Sequence, residues 1–388
     1  MNTDALSCLG LLECLVGIPS TFPPGDSSAI CSQIATMLEG WGYDVEIASR
    51  ASGVDNVIAR LASDTAGPCV VFNSHIDTVG VGKRADWFTP PFELTPVSTQ
   101  RLAGLGAANC KGSAATHLWL AQLLAQRGGP QRGEVVFTFV ADEENLGPNG
   151  TRYLAEAGLV RPDLLILGAP TANQLVVRER GVMWVRVDAF GRGAHAGAPG
   201  AGDNAILRLL RLLAHLQSRF DQLLPARSAG QLQSTFNIGT IAGGENTNVV
   251  PAQASATLDR RLLPQTENVQ AAFDEILALL AQAGEPAGSY RTELLTGTNG
   301  FSARADGPLV QAFQHSAGAA FGATLELIEA IGASDGRYFA DSKMEIINFG
   351  PGEGDQGHAP NESVAVDQLE QACRILAGVL EQLTGFRS

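Results

Sequence analysis

The residues best suited to chemistry lie just after apolar segments that predict buried strands. His75 and Asp77 follow the apolar run that ends at Phe72, and they are two positions apart. Side chains two apart at a strand end point the same way, so Asp77 can hold one imidazole nitrogen of His75 while the other binds a metal ion. A strand-end histidine in a polar turn is the competing interpretation of this spacing.

A second group of polar residues follows the predicted strand 134–140. Asp142, Glu143 and Glu144 are adjacent, and three neighbouring carboxylates repel one another unless a cation neutralises part of their charge. One of them can bind a metal ion while its neighbour acts as general base toward water. A solvated acidic loop is the alternative for an isolated acidic triplet.

The other histidines divide between a loop, a second predicted domain and helices. His358 lies in a long Gly- and Pro-rich loop after the predicted strand 344–349, and long ordered loops are often functional. His195 lies in the second domain, so it can approach His75 only if two domains or two subunits close on each other. The remaining histidines fall within helical patterns and are interpreted as structural or surface groups: His117, His215 and His315.

A nucleophile-elbow pattern offers a different chemistry. The sequence GASDG at 332–336 matches Gly-x-Ser-x-Gly, and with His358 and either Asp341 or Asp355 it would allow a serine hydrolase. The elbow would come at the end of the sheet order, and too little chain remains for the usual acid and histidine loops. Metal chemistry is therefore favoured.

The elements that must position these residues predict an α/β fold. Apolar runs bounded by Gly, Pro or Ser predict buried strands, and apolar residues at three- and four-residue spacing predict helices. Their alternation is typical of a mixed sheet covered by helices. Strands are predicted at 56–61, 69–73, 134–140, 164–167, 324–329 and 344–349, and helices at 9–16, 30–41, 116–126, 151–157, 307–319 and 366–383.

Between these parts the pattern changes to that of a small α+β sandwich. The sequence therefore predicts a discontinuous catalytic domain, residues 1–176 and 294–388, interrupted by an inserted domain at 177–293. In the inserted domain the order is strand, helix, strand, strand, helix, at 182–190, 204–217, 231–241, 252–261 and 269–283.

Composition limits the classes of partner. The chain has 388 residues and 45% apolar content, enough to bury a large core. Its net charge of −14, without Lys/Arg clusters, argues against nucleic acid or an anionic membrane surface and favours a small-molecule substrate. Six scattered cysteines, with no Cys-x-x-Cys pair, indicate neither a disulfide framework nor a thiolate zinc site. We therefore expect a cytoplasmic protein without a leader or membrane span.

Taken in chain order, seven segments resemble the acetylornithine deacetylase, succinyl-diaminopimelate desuccinylase and carboxypeptidase G family of di-zinc hydrolases. The resemblance runs nearly end to end, and the shared order of the segments makes it specific. The segments are SHIDTV (74–79), GLGAANCKG (104–112), ADEE (141–144), GAPT (168–171), GAH (193–195), NVVP (248–251) and the loop from GPG to the histidine (350–358).

The resemblance implies an α/β zinc-exopeptidase-like catalytic domain with an inserted α+β lid domain through which two copies dimerise. His75 would bind one zinc ion, and Glu144 with His358 would bind the other. Glu143 would be the general base, and Asp77 would orient the His75 ring.

The resemblance also implies contacts with substrate. His195, often supplied by the partner subunit in such enzymes, would stabilise the oxyanion. Asn248 and Arg261 are weaker candidates for substrate binding. Because an arginine grips a carboxylate well, the candidate partners of a substrate carboxylate are Arg180, Arg260, Arg261 and Arg337.

The sequence departs from the family pattern at two metal-ligand positions. Asn109 stands where the family has an aspartate that bridges both zinc ions, and Ala169 stands where it has an acidic residue. The site at His75 keeps a single good ligand, below the three that a catalytic zinc normally has. The other site keeps Glu144 and His358, with the carbonyl oxygen of Asn109 as a third ligand.

The leading hypothesis is a metal-dependent hydrolase that cleaves the amide bond of an N-acyl amino acid or small peptide. One or two zinc ions are expected, with a metal-activated water attacking the carbonyl. Because of Asn109 and Ala169, two alternatives stay open: a non-hydrolytic or metal-independent relative that binds such a ligand or rearranges its acyl group, and an engineered inactive variant.

Overall fold

The structure, a computed structural model, describes residues 6–22, 25–330, 332–340 and 344–387. Its α-helices are α1 (Cys8–Val16), α2 (Ser28–Gly40), α3 (Lys111–Gln126), α4 (Thr151–Glu156), α5 (Ala205–Leu223), α6 (Val269–Ala281), α7 (Pro308–Phe321) and α8 (Val366–Thr384). Its longer strands are β1 (Asp44–Ala51), β2 (Val54–Ala62), β3 (Cys69–His75), β4 (Glu134–Val140), β5 (Leu164–Leu167), β6 (Leu175–Glu179), β7 (Gly181–Phe190), β8 (Thr235–Gly243), β9 (Gln253–Leu262), β10 (Tyr290–Thr298), β11 (Leu327–Ala330) and β12 (Glu345–Asn348).

The chain divides into two compact units. The first comprises the described residues within 1–177, 303–328 and 334–388, and the second comprises those within 178–302 and 329–333. The second unit continues beyond residue 293 because β10 pairs with β7 along nearly its whole length.

The first unit is built on a mixed sheet that includes, in this order, β6-β12-β5-β3-β4-β2-β1, and β11 also pairs with β6. The four neighbours β12, β5, β3 and β4 are parallel, whereas β6, β2 and β1 pair antiparallel with their neighbours. The central strands are nearly continuous apolar runs, as expected of strands covered on both faces. This confirms the predicted α/β class with a mixed sheet.

Helices cover this sheet and bury its apolar side chains in one core. Residues of α1, α3, α7 and α8 pack with Phe72 of β3 and Phe137 of β4, whose rings stack at 5.2 Å. The start and end of α7 follow from its sequence: Pro308 occupies the first turn, and Gly322 ends the helix in the left-handed conformation at φ 63°.

The parallel strands set the position of the chemical groups. Their carboxyl ends meet at one edge of the sheet, which is where ligands bind in open α/β sheets. His75 ends β3, while Glu143 follows β4 and Ala169 follows β5. The loop that carries His358 follows β12.

The second unit has its own antiparallel sheet and its own core. Its strands run in the order β8-β9-β7-β10. Alternate residues of β9 are buried, and they pack with α5 and α6 in a separate apolar cluster. Asn204 caps α5 by accepting a hydrogen bond from the backbone N–H of Leu207 at 3.1 Å.

Several predicted elements differ from the structure. The strands β1, β6 and β10 were not predicted. Strands β1 and β10 are exposed along much of their length, which weakens the apolar pattern. Strand β6 lies where the chain passes from the first unit to the second. The predicted strand 231–241 is two strands, Leu232–Gln233 and Thr235–Gly243. No helix in the described part of the chain combines the length and apolar character that a bilayer span requires.

Replacing His117 by Asn should flatten the pH dependence of stability. The ring is buried against Phe72, with Nδ1 2.8 Å from Oγ of Ser74, and burial lowers its pKa from 6.5 to about 3. Between these values the unfolded chain binds a proton that the native chain does not. The free energy of unfolding therefore falls as pH falls, by up to about 1.4 kcal/mol per pH unit from this residue.

Urea unfolding measured in steps from about pH 6.5 to about pH 5 tests this expectation. His315→Asn, on the exposed side of α7, is the matched control and should keep the wild-type slope. Equal slopes for wild type and His117→Asn would contradict the prediction.

Candidate active site

His75 lies at the end of β3 with its ring fixed from both sides. Nδ1 is 3.1 Å from the backbone oxygen of Asp77 and 3.4 Å from its Oδ1. Nε2 is 4.0 Å from the Glu143 carboxylate. Burial acts to lower the pKa of His75, but contacts with Cys110, Asp77 and Glu143 outweigh it and raise the pKa well above the ordinary value.

Glu143 is a mostly buried carboxylate beside His75. Burial raises its pKa to about 8, and the nearby Asp335 adds to the shift, while the positive charges of His75 and Arg337 oppose it. The Arg337 guanidinium lies 3.7 Å from the Glu143 carboxylate and 3.9 Å from that of Asp335. Asp335 is also held by the hydroxyl of Thr151, which donates a hydrogen bond at 2.6 Å.

Glu144, His358 and Asn109 form the second half of the site. Nε2 of His358 lies 2.7 Å from one oxygen of Glu144, and the Asn109 side-chain amide donates to the other oxygen at 2.7 Å. The Asn109 nitrogen is 3.3 Å from Nε2 of His358. The backbone N–H of Glu144 donates to Asp77 at 3.0 Å, which ties this half to the His75 side.

Glu362 holds the loop that carries Asn109. Its two carboxylate oxygens accept hydrogen bonds from the backbone N–H groups of Gly106, Ala108 and Asn109 at 2.9, 2.8 and 2.6 Å. Burial raises the pKa of Glu362, although these three donors oppose the shift. The position of Asn109 is therefore fixed through its main chain.

These residues can hold a metal ion, but fewer ligands are present near His75. Among the described residues, ligand atoms of His75, Glu143 and Glu144 all lie within 4.8 Å of one another. Glu144 and His358 lie side by side, but Asn109 turns its side-chain nitrogen rather than its carbonyl oxygen toward both of them. On the His75 side, Ala169 contributes no ligand atom.

Comparison with known proteins decides the family. Residues 71–382 match the model of Peptidase family M20/M25/M40. This chain belongs to that family. A succinyl-diaminopimelate desuccinylase from Rhodospirillum centenum is 30% identical over 391 residues, which cover 96% of this chain and 96% of the relative.

Solved structures agree on the fold of the M20 family. A tripeptidase from Staphylococcus aureus has a TM-score of 0.76 at 22% identity and covers 96% of this chain and 97% of its own. A dinuclear metal-binding M20 peptidase from Bacillus subtilis has a TM-score of 0.70 at 19% identity and covers 96% of both chains. The chain is accordingly an enzyme of the amidohydrolase and peptidase type, from a family of metal-dependent hydrolases that cleave amide bonds.

Within the first unit the structure brings together most of the residues expected at the site. His75, Asp77, Glu143 and Arg337 form one half. The members of the other half are Asn109, Glu144 and His358.

The other expected residues belong to the second unit. His195 is exposed in the short strand Ala194–His195, which pairs with Val249–Val250, and the neighbouring Ala196 N–H donates to the Asn248 carbonyl at 2.9 Å. Arg261 lies in β9 with Nε 3.0 Å from Asp259. The roles of all these residues in catalysis remain predictions.

Sequence reasoning missed four residues of the site: Asp335, Glu362, Lys111 and Cys110. Asp335 lay within the supposed nucleophile elbow, but the Ser334 hydroxyl of that pattern accepts a hydrogen bond from the Asn348 amide at 3.1 Å. Asp341, considered as the acid of that arrangement, lies outside the described residues. Lys111 and Cys110 lie beside Asn109 in the recognised motif, and adjacency was the one signal that pointed to them.

Glu362→Gln should destabilise the fold by about 1–3 kcal/mol. The amide nitrogen of Gln would face backbone N–H groups, so at least one buried donor would lose its acceptor. Urea unfolding would measure the change. Asp306→Asn, whose side chain is 74% exposed, is the control and should keep the stability of the wild type. Unchanged stability of Glu362→Gln would contradict the structural role.

Proposed function

We propose that this protein hydrolyses the amide bond of an N-acyl amino acid or small peptide that carries a free carboxylate. The observation that carries the proposal is the position of Glu143, a buried carboxylate between His75 and Arg337 and next in the chain to the metal-ligand candidate Glu144. A base beside a metal-binding group is the arrangement that hydrolysis by water requires.

The residues divide into holding and proton-transfer roles. Glu144, His358 and Asn109 would hold one metal ion, and His75 would contribute to a second position. A bound metal ion supplies Lewis-acid polarisation of the scissile carbonyl and lowers the pKa of water. Glu143 takes the proton of the attacking water and passes it to the leaving amine. The raised pKa of Glu143 favours the second transfer, in which its protonated form gives the proton to the amine.

Zinc is the metal we propose. The candidate ligands are imidazole nitrogens and carboxylate oxygens, which zinc accepts in four-coordinate sites. The dinuclear metal-binding relative from Bacillus subtilis supports a metal site of this general kind.

The protein would bind its substrate through the carboxylate of the substrate. Arg337 is a candidate for this contact, although in the structure its guanidinium is directed at Glu143 and Asp335. From the second unit, Asn248 and Arg261 are further candidates, and His195 would stabilise the oxyanion. The relative from Rhodospirillum centenum is named a desuccinylase, so N-succinyl substrates belong in the first panel to be assayed.

A deacylation assay with Glu143→Gln tests the function. Wild-type protein loaded with zinc should release amino acid from N-acetyl or N-succinyl substrates, and a chelator should abolish release. Glu143→Gln should lower kcat by about 10²–10⁴-fold because the proton acceptor is lost. Its zinc content should stay at the wild-type level because Glu144 and His358 remain.

Glu381→Gln, on the exposed side of α8, is the control and should keep wild-type kcat. Turnover that survives complete metal removal would overturn the metal-dependent mechanism. Full activity of Glu143→Gln would overturn the assignment of the base.

The protein would work in the cytoplasm as a homodimer. All six cysteines are free thiols, which suits a reducing compartment. In the second unit β8 is an edge strand, and Ile241 on it is 54% exposed. On α5, Leu207 and Leu210 are 52% and 46% exposed, so the same unit presents several large apolar groups to solvent. A second copy paired along this unit would cover them.

Replacing Leu207 and Leu210 together by Glu should convert the dimer to a monomer. Sedimentation velocity should show wild type at about twice the chain mass of 40.6 kDa and the double variant at the chain mass. Leu277→Glu, on α6 of the same unit and 39% exposed, is the matched control and should remain dimeric. A wild-type protein that sediments as a monomer would contradict the proposal.

A further inference from the structure

Asp335 is a buried carboxylate to which the proposed reaction gives no role. It begins the short 3₁₀ turn Asp335–Tyr338, which precedes β12 in the chain, and it is buried. A carboxylate that loses its water on folding needs hydrogen-bond donors or positive charge in exchange. Asp335 has one of each, and both connect it to residues of the candidate active site.

On one side, Asp335 is tied to the central sheet. The Thr151 hydroxyl donates a hydrogen bond to Oδ2 of Asp335 at 2.6 Å, and the Asn73 side-chain amide donates to the same hydroxyl at 3.0 Å. Thr151 is the first residue of α4, and Asn73 lies in β3, two residues before His75. All of these side chains are buried, so their contacts fix the position of the Asp335 carboxylate.

On the other side, Asp335 faces the guanidinium of Arg337. Nη2 of Arg337 lies 3.9 Å from Oδ1 of Asp335, and Nη1 lies 3.7 Å from Oε1 of Glu143. Two hydrogen bonds also hold the guanidinium: Nη1 donates to the Ser334 carbonyl at 3.1 Å, and Nη2 donates to the Tyr338 hydroxyl at 2.9 Å. A guanidinium fixed by these contacts presents its charge to Glu143 in one orientation.

The surroundings of Arg337 argue against it as the group that binds the substrate carboxylate. Its side chain is only 4% exposed. A substrate carboxylate there would be a third acidic group around one guanidinium, beside Glu143 and Asp335. Arg337 is therefore better placed to hold Glu143 than to bind substrate.

We propose that Asp335 is a positioning residue for the general base Glu143 and acts through Arg337. The inference rests on the proposed function, because it concerns the base of that reaction. The side-chain contacts run without a break from β3 through Asp335 and Arg337 to the loop after β4. A general base must stay within hydrogen-bond reach of the water that it deprotonates, so a carboxylate that could turn away would slow the reaction.

Asp335→Asn should lower kcat by about 10–10²-fold and leave KM unchanged, because a displaced catalytic group slows the chemical step without weakening substrate binding. The neutral amide loses the charge that orients Arg337, and Glu143 is then held less firmly. Hydrolysis of N-acetyl and N-succinyl amino acids by the zinc-loaded, full-length protein would measure both constants. The zinc content should equal that of the wild type.

Arg337→Lys separates positioning from substrate binding. Lysine keeps the positive charge but lacks the planar, forked geometry with which a guanidinium faces two carboxylates. This variant should therefore resemble Asp335→Asn, with kcat lowered and KM unchanged. A raised KM with unchanged kcat would instead show that Arg337 binds substrate, and it would overturn the proposal.

Thr151 gives a test that leaves Asp335 and Arg337 in place. Thr151→Val removes the hydroxyl that donates to Asp335 and should lower kcat, whereas Thr151→Ser keeps a hydroxyl and should keep wild-type kcat. Thr384→Val is the matched control. Thr384 is also buried, and its hydroxyl donates to the Leu380 carbonyl at 3.0 Å, at the end of α8, so this variant should keep wild-type kcat.

The outcomes distinguish the positioning role from the proposed function. Wild-type kcat in a folded Asp335→Asn variant would overturn the positioning role and leave amide hydrolysis standing. If Asp335→Asn does not fold, the Thr151 variants decide, and equal kcat for Thr151→Val and Thr151→Ser would overturn the role. A zinc-loaded wild type without turnover on any of these substrates would overturn both the proposed function and this inference.

Discussion

The convergence of parallel strand ends is the constraint on which the site depends. The strands β3, β4, β5 and β12 end at the same edge of the sheet, so the groups that follow them are forced close together. Burying several carboxylates there is costly unless positive charge or hydrogen-bond donors face them. The structure supplies Arg337 to Glu143, His358 to Glu144 and three backbone N–H groups to Glu362.

Asn109 and Ala169 leave the candidate metal site with less negative charge than carboxylates at these two positions would give it. Glu362 fixes the loop of Asn109 through the main chain, and the Asn109 side chain reaches Glu144. An amide there donates a hydrogen bond where a carboxylate would repel Glu144. This hydrogen bond stabilises the candidate metal site when no metal ion is bound. The neutral amide also reduces the attraction of the site for cations.

The elements predicted best are those whose burial is complete. The strands 134–140 and 164–167 were predicted with the bounds that the structure has, because they are uninterrupted apolar runs. Strands β1 and β10 were missed because exposed faces dilute the apolar pattern, and the end of the second unit is set by the pairing of β10 with β7. Pairing between strands far apart in the chain cannot be predicted from the local residue pattern of either strand.

The sequence by itself determined the fold class, the order of the motifs and the types of groups that the site would contain, including the two positions without carboxylates. Those follow from apolar periodicity and residue identity, which are local properties. Tertiary structure alone decided that Glu362 binds the loop of Asn109, that Arg337 faces Glu143, and that the Cys110 thiol donates to the Gly168 backbone oxygen. These contacts join segments far apart in the chain, and only the approach of the strand ends brings them within reach.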